Sequence, residues 1–299
     1  MLPGYEFGLE RVPMNKSFIS FILIIISAAA VFAANTTQNT DGGAIQMQGI
    51  EPNNTVYDSN MVNITVIYDN NTFKEGLGTA WGFSCVITGF EKTVLFDTGG
   101  DGPLLIENIS KLGIDPNDIE LVFLSHTHWD HVGGMESFLE KNHNVSVFMP
   151  ESFPQDFKQM ISSRGAKIIE IEKPMEICQG AHSTGQLGTS IKEQGLILRT
   201  DKGLILITGC AHPGIVSMAQ KAKELFNENI LFVMGGFHLS ATSNREINNI
   251  IKAFKDLQVK YAGPCHCTGD NARTLFAEQF GDKYINIGVG RVITGKNLQ

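Results

Sequence analysis

The sequence predicts an α/β domain in which two mixed β-sheets pack face to face with helices on the outside. Three observations predict it. From about residue 61 onward, short β-branched runs alternate with helical stretches. The two halves of that region repeat the same order of strands and helices, which suits two similar layers. Finally, GLILRT (195–200) and GLILITGC (203–210) are joined by the turn Asp201-Lys202-Gly203. Such a hairpin counts against the alternative, a doubly wound parallel sheet, because parallel strands need long crossovers.

The elements follow in order. MVNITVIY (61–68) is rich in β-branched residues and reads as a strand, as does WGFSCVIT (81–88). KTVLFDTGG (92–100) is a strand ending in Asp-Thr-Gly-Gly. A helix over Leu104–Leu112 is stopped by Gly113 and by Asp115-Pro116. ELVFLSHTHWDHVGG (120–134) is an apolar strand running into a His/Asp cluster. A helix ending near Lys141, the strand VSVFMP (145–150), a helix over 154–163 and the strand KIIEIE (167–172) complete the first half. After the hairpin come a helix at Val216–Phe226, the strand NILFVMGG (229–236) and a helix over 246–257. YAGPCHCTG (261–269), a further helix and a last strand, YINIGV (284–289), close the chain.

Ahead of this domain, residues 18–34 are uncharged and almost wholly apolar, behind Lys16 and with small residues at the exit. That is the pattern of a secretory signal peptide over residues 1–34; an uncleaved membrane anchor is the alternative. Residues 1–13 fit neither pattern, and Met14 gives a better start. Residues 35–60, rich in Asn, Thr, Gly and Asp, read as a flexible linker, leaving 61–299 as the catalytic domain. The segment predicts an exported or extracytoplasmic protein that meets the membrane only there. Asn35, Asn53, Asn63, Asn70, Asn108 and Asn144 lie in N-x-S/T sequons, which matter only where the host glycosylates exported proteins.

A net charge of −8 gives no basic footprint for phosphate backbones, so nucleic acid is not an expected partner and a small molecule is. Five cysteines, an odd number, argue against a complete disulfide framework. Cys210, Cys265 and Cys267 sit beside histidines instead. Cys265 and Cys267 flank His266 and read as packing residues.

The decisive segment is Ser125-His126-Thr127-His128-Trp129-Asp130-His131. His126 and His128, two apart on an extended stretch, point the same way. Asp130 and His131 fall where Gly133-Gly134 lets the chain turn into a helix. One segment can thus offer ligands to two neighbouring ions. Imidazole and carboxylate suit zinc, iron or manganese, and paired ions are a design for hydrolysis. No nucleophilic serine motif, phosphate loop or dinucleotide fingerprint competes with this cluster.

HTHWDH resembles the H-x-H-x-D-H motif of the metallo-β-lactamase superfamily, and Asp97 in LFDTGG resembles the acidic residue that there supports the site from behind the ligands. The resemblance covers about residues 61–299 and implies that superfamily's αββα sandwich. The phrases TGCAHPG (208–214), GGFHL (235–239) and PCHCTG (264–269) are further similar to the subfamily typified by an archaeal dihydropterin–ribofuranosylaminobenzene phosphate synthase of methanopterin biosynthesis. It implies His126, His128, Asp130, His131, His212 and His266 as metal ligands, holding one or two divalent ions: zinc first, with iron, manganese or magnesium as alternatives. Asp130 and His238 are the catalytic candidates, His238 as a ligand or a substrate contact. Two further ligand candidates are His182, in HSTG where the superfamily places a later histidine, and Cys210, where it places a bridging aspartate. The cysteine departs from the pattern and puts a conventional bridged pair in doubt. The expected function is a metal-dependent hydrolase of an extracytoplasmic small molecule, with a phosphoester as the candidate substrate. The alternatives are a dihydropterin transferase releasing diphosphate, and a binding module that has lost turnover.

Overall fold

A computed structural model describes residues 55–299. The expected signal segment and most of the expected linker lie outside the described residues. Residues 55–60, read from sequence as the end of that linker, instead join the body. Tyr57 bridges to Thr200 and its ring lies 4.9 Å from Phe90, while the Ser59 amide donates to Asp201.

Among the described residues, thirteen strands form two sheets. The first contains β1 (Asn63–Asp69), β2 (Phe83–Thr88), β3 (Val94–Phe96), β4 (Leu121–Phe123), β5 (Ser146–Pro150) and β6 (Lys167–Ile171), with β13 (Val292–Thr294) added beside β1. The second runs in the order β12 (Tyr261–Cys265), β11 (Ile230–Gly236), β10 (Gly203–Thr208), β9 (Leu196–Thr200), β8 (Ala181–Ser183) and β7 (Met175–Cys178). Both sheets are mixed: β3 to β6 are parallel and β10 to β12 are parallel, while β9 and β10 form the expected antiparallel hairpin.

Alternation along each strand sends side chains to two different cores. Ile64, Val66, Phe123, Ile205 and Ile207 fill the layer between the sheets. Val122 and Leu124 face α1 (Gly102–Lys111), α3 (Met135–Lys141) and α4 (Gln155–Ser163). Leu204 and Leu206 face α5 (Ile215–Phe226), α6 (Asn244–Asp256) and α7 (Asp270–Phe280). A single turn, α2 (Trp129–Val132), follows β4. The result is the predicted four-layer arrangement, not a doubly wound sheet.

One expected strand differs. Residues 284–289 bury Ile285, Ile287 and Val289, but they pair with other strand segments only through isolated bridges at Tyr284 and Val289. The chain is drawn past the sheet there and pairs as a ladder only beyond Gly290, in β13. The short β7 and β8 carried no sequence signal of their own.

Candidate metal centre

The parallel strands aim the carboxyl ends of β3, β4, β10, β11 and β12 at one edge of the sandwich. In open α/β sheets, ligands bind in the crevice outside such ends. Here Asp97 follows β3, His126 and His128 follow β4, Asp130 and His131 lie in α2, Cys210 and His212 follow β10, His238 follows β11 and His266 follows β12.

Their side chains form two clusters. In the first, His128 Nδ1 lies 3.2 Å from both His126 Nε2 and His212 Nε2. In the second, His266 Nε2 lies 3.2 Å from Asp130 Oδ2 and 3.2 Å from His131 Nε2. Cys210 belongs to both: its sulfur is 3.2 Å from His131 Nε2, and donor atoms of His126, Cys210 and His212 lie within 4.8 Å of one another, as do those of Asp130, His131, Cys210 and His266.

These spacings test whether ions fit. Donors about 2.0 Å from a tetrahedral ion stand about 3.3 Å apart along each edge. Imidazole nitrogens facing one another at 3.2 Å repel unless a proton or a cation lies between them, and one proton cannot serve the three neighbours of His131 Nε2. The donor set of nitrogen, carboxylate oxygen and thiol sulfur therefore fits a pair of transition ions, with Cys210 where the two sets meet. A sulfur donor favours zinc or iron over magnesium.

Burial keeps the imidazoles neutral, the form that binds metal. It pushes His131 down to about 3, His126 well below its ordinary value and His212 down to about 4, in each case helped by neighbouring histidines. Burial works against Asp130 as an anion, but the His266 hydrogen bond and the nearby imidazoles outweigh it and hold the carboxyl at about 2. Cys267 beside it, together with burial, pushes the Cys210 thiol up.

A ring of buried partners orients these side chains. Asp97 Oδ2 accepts from His131 Nδ1 at 2.7 Å and from Ser125 Oγ at 2.7 Å, and Oδ1 accepts from the Ser125 amide at 2.7 Å. Ser125 Oγ also contacts His126 Nδ1 at 2.9 Å. Asn70 Oδ1 faces His266 Nδ1 at 3.0 Å, and the His266 amide donates to Asp69. Glu193, fully buried, accepts from the amides of Gly209, Cys210, Ala211 and His212 and so fixes the loop that carries two donors. Gly209 permits the close packing here: a Cβ would fall 2.1 Å from Ser125 Oγ and 3.1 Å from Asp97 Oδ2.

Sequence reasoning missed Glu193, Ser125, Asp69 and Asn70. Two further residues take definite places: His182, held only as a possible ligand, and Cys267. His182 is not brought to the centre: its ring packs 4.8 Å from Phe226 on the helix side of β8, neither nitrogen has a hydrogen-bond partner, and burial pushes it down to about 4. Cys267, read as a packing residue, lies in a 3-10 turn with its donor atom within 4.8 Å of those of Cys210 and His238. Cys265 is buried in the inter-sheet core as expected, and all five cysteines are free. His238 is exposed, its ring lies tilted at 53° and 4.5 Å from that of His212, and its hydrogen bond to Cys267 raises its pKa against the pull of burial. Cavities of about 260 and 290 Å³ adjoin His212, the first lined by residues 188–191 and the second including His238. Of the sequons, Asn108 is buried and hydrogen-bonded to Ile67 and Gly78, which leaves no room for a glycan there.

The comparisons agree with this geometry. The profile of the metallo-beta-lactamase superfamily matches residues 82–188. The chain is 30% identical over 250 residues to the 7,8-dihydropterin-6-methyl-4-(beta-D-ribofuranosyl)-aminobenzene-5'-phosphate synthase of Methanocaldococcus jannaschii, covering 69% of this chain and 85% of that one. A crystal structure of Tm1679, a metal-dependent hydrolase of the beta-lactamase superfamily, superposes with a TM-score of 0.65 at 32% identity, covering 78% of this chain and 98% of the other. A diphosphatase of the PhnP family shares the fold, with a TM-score of 0.52 at 15% identity over 78% of this chain and 96% of that one. An enzyme's donor cluster, a superfamily profile over the HTHWDH segment and a relative at this identity converge, and the chain belongs to the metallo-beta-lactamase superfamily.

Proposed function

We propose that the protein is a metal-dependent hydrolase of a small molecule, with a phosphoester as the bond it cleaves. The observation that carries this reading is the meeting of two donor clusters at Cys210. His126, His128 and His212 would hold one ion, Asp130, His131 and His266 the other, and the Cys210 sulfur would face both. Bound there, two divalent ions supply Lewis-acid polarisation of a phosphoryl oxygen and make water acidic enough to act as nucleophile near neutral pH. The chain's own residues do the rest. Asp97, Ser125 and Asn70 fix the tautomers and tilt of the imidazoles. Asp130, ionised at neutral pH, supplies a carboxylate beside His131 and His266. His238, exposed beside His212, is placed to hand a proton to a leaving oxygen.

The test is elemental analysis of metal-replete protein, followed by a panel of phosphoesters, diphosphates, lactones and β-lactams. Two transition ions per chain, with turnover lost in Asp130→Ala, are expected. Metal-free preparations after reconstitution, or turnover untouched by Asp130→Ala, would overturn the reading.

A second reading rests on the 30% identity to the archaeal synthase. On it, the residues that would hold the ions would set their charge against a diphosphate leaving group, and an aromatic amine would displace that diphosphate from a pterin methyl carbon. Product analysis with a hydroxymethyl-dihydropterin diphosphate and an aminobenzene acceptor separates the two: a joined product supports transfer, a hydroxymethyl product supports hydrolysis. We also place the enzyme outside the cytoplasm, on the strength of the apolar run 18–34 behind Lys16. Export would remove it from cytosolic pterin diphosphates and so favours the hydrolase. Expression from Met14 and cell fractionation test this, with an N-terminus near Asn35 expected and an intact, cytoplasmic chain contrary.

A further inference from the structure

The chain contains two tryptophans, and the fold sets both beside the metal centre. Trp81 lies in the loop before β2, 47% exposed, with its ring 5.0 Å from the His266 imidazole at an interplanar angle of 58°. Trp129 stands between His128 and Asp130 and is 63% exposed. The two border the same residue. A Cβ on Gly100 would fall 2.3 Å from Trp129 Cζ3 and 3.1 Å from the Trp81 carbonyl oxygen, so the indole of Trp129 lies across bare backbone next to Trp81.

Folding ordinarily removes indoles from water, since each carries a large apolar area. Here two are left 47% and 63% exposed, and neither joins the packed cores that hold Phe83, Phe96, Phe123, Phe232 and Phe237. One of them packs on a candidate ligand and the other is flanked in sequence by two. Trp81 borders whatever reaches His266, and Trp129 lies on the Gly100 backbone next to it. Indole faces are electron-rich, and they stack best on planar, electron-poor rings at offset or tilted geometries. The imidazoles and carboxylate beside them handle the polar end of the same molecule.

We propose that Trp81 and Trp129 form an aromatic wall that stacks a planar nitrogen heterocycle carried by the substrate, setting its reacting phosphoryl end over the metal pair. This rests on the reading of the centre as a phosphoryl-processing metal site. It narrows the substrate class from small phosphoesters in general to those bearing a heteroaromatic ring. Aliphatic phosphoesters reach the ions but not the wall.

Because both tryptophans are at the wall, indole emission reports on it directly. Zinc-loaded protein is titrated with adenosine monophosphate and with pterin-6-carboxylate as ring-bearing probes, and with glucose 6-phosphate as a ring-free phosphate, following emission and calorimetric heat. The ring-bearing probes should quench saturably and bind more tightly than glucose 6-phosphate. Trp81→Ala and Trp129→Ala should each weaken ring binding about tenfold, as loss of a single base-stacking contact does, while Phe replacements retain most of it. Metal content measured on the same samples should not change. Unaltered affinity in both alanine variants with metal content intact, or equal binding and quenching by glucose 6-phosphate, overturns the wall. If the probes quench and the alanine variants weaken them but no ring-bearing phosphoester is turned over, the wall stands and the hydrolase reading fails.

Discussion

Replacing Asp97 by asparagine changes one atom in a buried carboxyl and asks how far metal affinity depends on residues that never touch the metal. Asp97 uses both oxygens: Oδ1 accepts from the Ser125 amide, and Oδ2 accepts from Ser125 Oγ and His131 Nδ1, all at 2.7 Å. Burial pushes its carboxyl well above the ordinary range, opposed by the Ser125 donors. Ligation through His131 Nε2 requires the proton on Nδ1, and that proton needs an acceptor. An amide offers one oxygen and one NH2 group, so either the Ser125 amide or His131 Nδ1 must face a donor. Losing one hydrogen bond of this charge-assisted kind costs about 2 kcal/mol, or about 30-fold in affinity. That agrees with the roughly 10- to 100-fold cost usual for partners of metal-bound histidines. Competition for zinc between the protein and a chromophoric chelator measures the change, with near-UV circular dichroism to verify that Asp97→Asn is folded. A folded variant that binds zinc within about twofold of the parent would refute the assignment of His131 as a ligand held by Asp97.

The remaining predictions concern single side chains. His128→Ala combined with Asp130→Ala, one donor from each cluster, should remove most bound metal in elemental analysis; wild-type content would contradict both clusters. His212→Ala or His266→Ala should each lower metal content, whereas His182→Ala should leave it unchanged, because the His182 ring lies against Phe226. Cys210→Ala should weaken metal binding and abolish the near-ultraviolet sulfur-to-metal absorption of cobalt-substituted protein, while Cys210→Asp should keep the metal and lose the band. Acid stability gives a fourth check. His182 is held at about 4 when folded, below its ordinary value of 6.5, so the unfolded chain takes up the proton first. Its contribution is present above pH 6.5 and is lost as pH falls from there through 4, to the extent of about 3 kcal/mol for such a shift. Urea midpoints for a His182→Phe variant should therefore fall less between pH 7 and pH 4.5 than those of the parent; an equal fall would show that His182 protonation does not matter.

What could be read in the sequence was what the chain places side by side. His126, His128, Asp130 and His131 are neighbours in sequence, so one strand end and one turn of helix suffice to converge them, and their spacing alone exposes the site. His212 and His266 were legible only through the resemblance that TGCAHPG and PCHCTG carry, and the parallel strands that deliver both to one edge account for it. Glu193 was not legible: its task is to accept four backbone N–H groups of the 209–212 loop, and backbone donors leave no residue pattern. Asn70 was equally hidden, since it meets His266 across 196 positions of chain. His182 entered as a possible ligand because HSTG resembles a ligand turn, whereas the alternation of β8 turns its ring toward α5. The backbone adds a signal that composition conceals. Asp97, Ala211, His238 and His266 all take positive φ, between 48° and 58°, a region that glycine occupies at least cost. Non-glycine residues held there are strained, and such strain persists only where the surroundings enforce it. Three of the four carry side chains aimed at the centre, and the fourth lies between Cys210 and His212. Glycine would relax the backbone at the three but remove a side chain of the centre, so these four left-handed positions, unlike Asn227 and Gln258 in turns elsewhere, are where this fold gives up stability to hold its metal site together.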